Sequence, residues 1–251
     1  MEVLKCSKLY KYFGDVHAVD GVDFAMKELE VKALIGPNGA GKTTLVNLIT
    51  GYLEPDRGTV LFKGEDITKT SPIKRVKKGI IRTFQIPHIF MNLSALDNIR
   101  ASIISRTGRS LKLLSILDRM SDVTEKAMEV LELVGLKSKA HEIASNLSHG
   151  DIKILDFAIA LAMDPKVLIL DEPTSGVSTA ERDVIIRTIV EIVKEKRIPT
   201  LLIEHDMEVV FNYADKISVM SEGKILVEGE PSEVEKNPVA REVVLGGGGV
   251  R

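Results

Sequence analysis

Apolar residues recur along this chain in two rhythms, one of short unbroken runs and one of helical spacing. Val31 to Ile35 is a short run that ends at a glycine, and from Gly41 to Ile49 the apolar positions take helical spacing. Together they predict strand, loop and helix. Val167 to Leu170, Thr200 to Ile203 and Ile217 to Met220 are further runs of strand length. Between Ile86 and Asn146 this β pattern fades and helical signals replace it. Ser94 with Asp97, and Asp122 with Glu125, have the spacing of capping boxes, which predicts two helix starts. From Ala127 the residues Val130, Leu131 and Val134 keep helical spacing as far as Gly135, a predicted C-cap. Another helical run extends from Ile152 to Ala162.

Strands alternating with helices predict an α/β fold, a mostly parallel sheet with helices on both faces. Two β-rich portions, 1–85 and 152–240, flank a helical insert at 86–151. Residues 241–251, which include Gly246 to Gly249, read as a C-terminal tail. No internal repeat is visible.

The 251 residues fit one compound domain, and 44% hydrophobic with 28% charged residues supply a core under a solvated surface. A net charge of -2 offers no bulk attraction to nucleic acid or anionic lipid. The single Cys6 excludes an internal disulfide and a cysteine metal cluster, and fits a reducing compartment. Met1 to Leu9 lacks a basic segment followed by an apolar run, so no secretory signal is expected. No stretch approaches the roughly 18 apolar residues of a membrane span. Any membrane work therefore requires other chains.

Candidate chemistry begins at Gly36-Pro37-Asn38-Gly39-Ala40-Gly41-Lys42-Thr43, followed by Thr44, which has the spacing of a phosphate-binding P-loop between a predicted strand and helix. Small residues let backbone N–H groups close around phosphates, and the helix N-terminus adds a partial positive charge. Lys42 is placed to reach the β- and γ-phosphates of ATP, and the Thr43 hydroxyl to ligate Mg²⁺. The run Val167 to Leu170 ends in Asp171 and Glu172, the Walker B arrangement. Buried carboxylates need compensation. Mg²⁺ held by Asp171 would supply it, and Glu172 would polarise the attacking water as general base.

Leu147-Ser148-His149-Gly150-Asp151 stands directly before a helical run, so Ser148 and the amide of Gly150 form a candidate anion site at a helix N-terminus. An isolated Ser-x-Gly is more commonly a plain helix cap. Taken in order, the P-loop, Gln85 after a strand, Leu-Ser-x-Gly, Asp171-Glu172 and His205 resemble the ABC ATPase family over nearly the whole chain.

That resemblance implies an ABC fold: a P-loop core of mostly parallel sheet, an antiparallel β portion near the N-terminus and an inserted α-helical subdomain. It implies that Phe13 stacks on adenine, though a core aromatic is the other reading; that Gln85 links metal and water to the helical subdomain; and that His205 contacts the γ-phosphate. It also implies an ATP-sandwich dimer, with an identical or paralogous second ABC ATPase subunit. Lys42, Glu172 and His205 of one chain would meet Ser148 and Gly150 of the other across each of two Mg-ATP. Permease subunits, an extracytoplasmic solute-binding protein and a place on the cytoplasmic face of the membrane follow from the same likeness.

Three positions depart from the common family pattern. His149 and Asp151 replace the usual Gly and Gln, and Ser178 stands where many members carry aspartate. Asp151 would mildly repel phosphate while accepting a bond from a ribose hydroxyl. Arg82-Thr83-Phe84-Gln85, the insert after Ile104, Gly176-Val177-Ser178 and Ile203 to Val210 resemble the subfamily serving branched-chain amino acid importers, with urea and amide importers close by. Other classes are a soluble ABC ATPase of cofactor assembly and a non-hydrolysing regulatory subunit. Lys74-Arg75-Val76-Lys77-Lys78 reads as a solvated helix face. Met91 to Ile104 reads as a docking face for a transporter or as helix packing.

Overall fold

The computed structural model describes residues 1–83, 89–107 and 116–245; Gln85 and Gly246 to Gly249 lie outside the described residues. Near the N-terminus β1 (Glu2–Phe13) and β2 (Val16–Lys27) form an antiparallel hairpin through Gly14, at φ +59°. β4 (Arg57–Phe62) and β5 (Glu65–Asp66) extend it to a four-stranded sheet of order β2-β1-β4-β5. The antiparallel portion is thus present.

The second sheet runs β10-β9-β3-β8-β7-β6. Its members are β3 (Val31–Ile35), β6 (Ile80–Arg82), β7 (Val167–Asp171), β8 (Thr200–Ile203), β9 (Lys216–Ser221) and β10 (Lys224–Gly229). All neighbours are parallel except β10 on β9. Every residue of β3 and β8 is buried, as expected of central parallel strands covered on both faces. The two faces serve different cores. Leu168, Leu170 and Leu202 face one, whereas Leu34, Ile169, Leu201 and Ile203 join Leu4, Phe24 and Val60 of the antiparallel sheet in the other.

The helices are α1 (Lys42–Thr50), α2 (Pro72–Lys78), α3 (Ala95–Thr107), α4 (Ile116–Leu133), α5 (His149–Ala162), α6 (Thr179–Glu195), α7 (Met207–Tyr213), α8 (Pro231–Lys236) and α9 (Pro238–Leu245). Ser94 caps α3, its Oγ accepting from the Asp97 amide at 3.0 Å. Gly135, at φ +80°, ends α4: the Leu136 amide reaches Leu131 O at 2.7 Å and Gly135 N–H reaches Glu132 O at 3.1 Å, the paired bonds of a Schellman cap. Among the described residues no helix is long and apolar enough to cross a membrane.

Three expectations are corrected. Asp122 and Glu125 do not start a helix; they lie inside α4, whose Val123, Ala127 and Leu131 are buried at i, i+4 spacing and carry the helix through the capping signal. The helical run expected from Ile152 starts earlier, at His149, because Ser148 caps α5. Arg75 is not part of a solvated face. It is 1% exposed and donates to the carbonyls of Leu48, Ile49, Ile67, Thr68 and Thr70 at 2.6 to 2.9 Å, closing the C-terminal end of α1.

Candidate functional site

The parallel strands end together, and the chemistry-bearing residues sit where they end, the crevice in which open α/β sheets take ligands. The loop Gly36 to Gly41 leaves β3 and feeds α1. Two of its glycines are obligatory. A Cβ on Gly36 would stand 2.0 Å from Met220 O of β9, and one on Gly41, at φ +104°, would stand 2.2 Å from Ala18 O of β2. The loop is therefore clamped between the two sheets, with Asn38, Gly39 and Thr43 exposed, Ala40 buried and Pro37 and Thr44 half-buried. Lys42 folds over it, donating to Gly36 O at 2.6 Å and Pro37 O at 3.0 Å. Burial lowers the Lys42 pKa, and the charges of Glu172 and Asp171 oppose that shift, which places both acids in its electrostatic range.

Asp171 closes β7, and Glu172 follows in left-handed backbone at φ +51° with its amide on Ile203 O at 2.9 Å. His205, just past β8, brings Nε2 to 2.9 Å from Glu172 Oε1. Glu204 is buried behind it, accepting from the Thr174 hydroxyl at 2.6 Å and the Thr174 amide at 3.2 Å. On the other flank Arg82, the last residue of β6, donates to Asp171 Oδ2 and to Asn47 Oδ1 of α1, each at 2.6 Å. Lys42, Asp171, Glu172 and His205 are thus brought together at the end of the sheet.

Phe13 is 48% exposed at the tip of the hairpin, with Lys11 Nζ 5.8 Å from its ring centre. The core-aromatic reading of Phe13 is overturned by this exposure. An exposed ring on a hairpin whose second strand touches the loop at Ala18 leaves a face open for stacking.

Ser148 and Gly150 open α5. The Ser148 Oγ accepts from the Asp151 amide at 3.1 Å, and Asp151 Oδ2 accepts from the Ser148 hydroxyl at 2.7 Å, its amide at 3.3 Å and Lys139 Nζ at 2.6 Å. Burial would raise the Asp151 pKa, but the bonds from Lys139 and Ser148 outweigh it and hold the pKa down. Ser178 builds the same box with Glu181 at the start of α6. The two boxes adjoin, since a Cβ on Gly150 would meet Glu181 Oε1 at 3.6 Å. The departures at Asp151 and Ser178 therefore have a local cause: each completes a reciprocal helix cap.

Three comparisons, with a family, with relatives and with solved structures, stand beside this geometry. The family described as ABC transporter matches residues 19–175. The chain is 36% identical, over 98% of its own length and 98% of the relative's, to a probable branched-chain amino acid transport ATP-binding protein LivG of Methanocaldococcus jannaschii. It belongs to the ABC transporter ATP-binding family. LivG of Escherichia coli K12 is 33% identical over 97% of this chain and 98% of its own. Among solved structures, a nucleotide-free ATP-binding cassette from an ABC transporter matches with TM-score 0.82 and 34% identity, covering 97% of this chain and 98% of that one. A cassette in its ADP conformation matches with TM-score 0.84 and 35% identity, over 98% and 99%. The α/β ABC fold expected from the sequence is the fold these family members share.

Sequence reading gave no role to Arg82, to the Glu204–Thr174 pair, or to Lys153, which is buried and donates to Ser175 Oγ at 2.9 Å. For Arg82 a signal existed: an arginine that ends an apolar strand destined to lie beside one ending in Asp171.

Proposed function

We propose that this chain is the ATP-binding and ATP-hydrolysing subunit of an ABC importer, dimerising around two Mg-ATP to drive separate permease subunits at the cytoplasmic face of the membrane. The observation that carries it is the convergence of Lys42, Asp171, Glu172 and His205 around the loop after β3. The side chains each have a task. Lys42, now spent on Gly36 and Pro37 carbonyls, turns to phosphate oxygens when nucleotide arrives. Phe13 offers its open face to the adenine, and the backbone N–H groups from Asn38 to Thr44 receive the phosphates, Pro37 having none to give. Glu172 takes the proton of the attacking water, and His205, hydrogen-bonded to it, orients the carboxylate and reaches the γ-phosphate.

The donor set fits a hard cation: the Asp171 carboxylate and the exposed Thr43 hydroxyl are oxygen donors, and Gln85 would add another. Mg²⁺, when bound, neutralises charge on the phosphates as the γ-phosphoryl group is transferred. Ser148 is exposed at the start of α5, with Gly150 buried in the first turn behind it, a helix N-terminus suited to cover the partner subunit's ATP, which gives the nucleotide a differential affinity for the closed dimer.

The relatives named for branched-chain amino acid transport support such a cargo, or a similar small polar solute, read by a solute-binding protein and the permeases. They favour transport over cofactor assembly. Replacing Glu172 by Gln is expected to abolish turnover while trapping an ATP-bound dimer in size-exclusion chromatography. Equal ATPase rates in wild type and Glu172→Gln would reject the proposal.

A further inference from the structure

Arg82 places a fixed positive charge inside the acidic end of the site. Its guanidinium, with 8% of the side chain exposed, bridges Asp171 Oδ2 and Asn47 Oδ1 at 2.6 Å each, and Asp171 is itself 13% exposed. Among the described residues no hydrogen bond reaches Asp171 Oδ1. The fork geometry matters, since one guanidinium serves a carboxylate on β7 and an amide on α1 at once, which an ammonium does with much poorer directionality. The contact also joins the strand that leads toward Gln85 to both motif-bearing elements.

The charges around it explain what such a cation does. Asp171 and Glu172 are adjacent carboxylates, with Lys42 across from them. A nucleotide without its metal carries about four negative charges and must approach both acids. Repulsion between poorly solvated charges is strong, because little water screens it. Arg82 cancels one of the two acids permanently. Its burial in turn argues against its leaving, for drawing the guanidinium away from Asp171 would separate a poorly solvated ion pair.

Resting on the nucleotide-site reading above, we propose that Arg82 is the resident counter-cation and positioning residue of the metal site. It neutralises Asp171 before metal binds, fixes the carboxylate through Oδ2 so that Oδ1 remains for the metal, and so lets ATP enter ahead of Mg²⁺. The metal dependence of nucleotide affinity is then set partly by Arg82.

The test is calorimetric titration of ATP into the full-length protein at fixed ionic strength, once in excess EDTA and once in excess Mg²⁺, for wild type, Arg82→Met and Arg82→Lys. Arg82→Met is expected to lose about ten-fold in metal-free affinity and less than about three-fold with Mg²⁺. Arg82→Lys, which keeps the charge, is expected to recover most of the metal-free loss; it also serves if Arg82→Met fails to fold. Equal losses in the two buffers, or equal losses in the two variants, would reduce Arg82 to a structural strut and overturn the proposal. Tighter Mg-ATP binding with metal-free binding unchanged would overturn it too, by making Arg82 a placeholder that metal displaces. Failure of the wild type to bind ATP in either buffer would instead sink the nucleotide-site reading itself.

Discussion

His205 Nε2 stands 2.9 Å from Glu172 Oε1, and the backbone that presents Glu172 is left-handed, at φ +51°. A non-glycine residue in that conformation carries roughly 1 kcal/mol of strain, held here by the Glu172 amide on Ile203 O. The strand end and the strained residue together aim the carboxylate at the imidazole. Removing the ring takes away the His205 contact that helps to aim the carboxylate. His205→Ala is therefore expected to lower ATP turnover by about 100-fold or more while changing nucleotide affinity only a few-fold. Steady-state ATPase assays with parallel nucleotide titration check this; a loss confined to affinity would contradict it.

Gly41 and Gly39 both have left-handed backbone, yet they should respond differently to alanine. At Gly39 a Cβ meets nothing within 4 Å, so the cost is backbone strain alone, about 1 kcal/mol. At Gly41 the Cβ would lie 2.2 Å from Ala18 O and 2.8 Å from the Met220 side chain. The loop must then move off both sheets. Gly41→Ala is expected to lose ATP binding by about 100-fold and Gly39→Ala by less than about ten-fold, as read by fluorescent nucleotide titration. Comparable losses at the two positions would mean that loop flexibility, and not the clamp between the sheets, governs affinity.

The acid at Asp151 departs from the family pattern, but its bonds to Ser148 and Lys139 make it half of a helix cap. Replacing it by Ala should cost about 1 kcal/mol of stability, the usual worth of a lost cap. Because the folded-state pKa of Asp151 is held down, its contribution is present above the ordinary carboxylate range and fades as pH falls through the lowered value. Chemical denaturation of wild type and Asp151→Ala should thus show a gap at pH 7 that narrows toward acid pH. A gap that widens instead would show that the cap is not the source.

The motifs could be read from the sequence because their parts are contiguous. Gly36 to Thr43 and Asp171-Glu172 carry both spacing and flanking apolar runs, and the runs became β3 and β7. What escaped depends on contacts between distant segments. Asp122 and Glu125 look like a helix start locally, yet the buried stripe of Val123, Ala127 and Leu131 decides otherwise. Arg75 hides in a run of basic residues, and only the open carbonyls at the end of α1, some 26 residues away, draw it inside. Arg82 carries no short-range sign of its partner, which lies 89 positions along the chain. The irregular burial along β1 reflects several register shifts against β2, a pattern that blurs the two-residue alternation on which strand reading depends.

Asp156 offers a pH signature. It lines a cleft of about 200 Å³ between α5 and the sheet, beside Ile80, Thr83 and Ile159, and burial pushes its pKa up to about 6 although Lys153 pulls it down. The unfolded chain releases this proton near 3.8, so between 3.8 and about 6 the folded protein holds a proton that the unfolded chain has lost. Rising pH across that window therefore favours unfolding, and above about 6 the whole penalty is present, up to about 3 kcal/mol. Asp156→Asn removes the titration while keeping the shape. The variant is expected to exceed wild type in stability at pH 7.5 and to approach it near pH 4, as measured by urea denaturation at both values. A difference between the two proteins that stays constant with pH would mean that the Asp156 carboxylate is solvated or paired in the folded state, and its burial would then lose its energetic meaning.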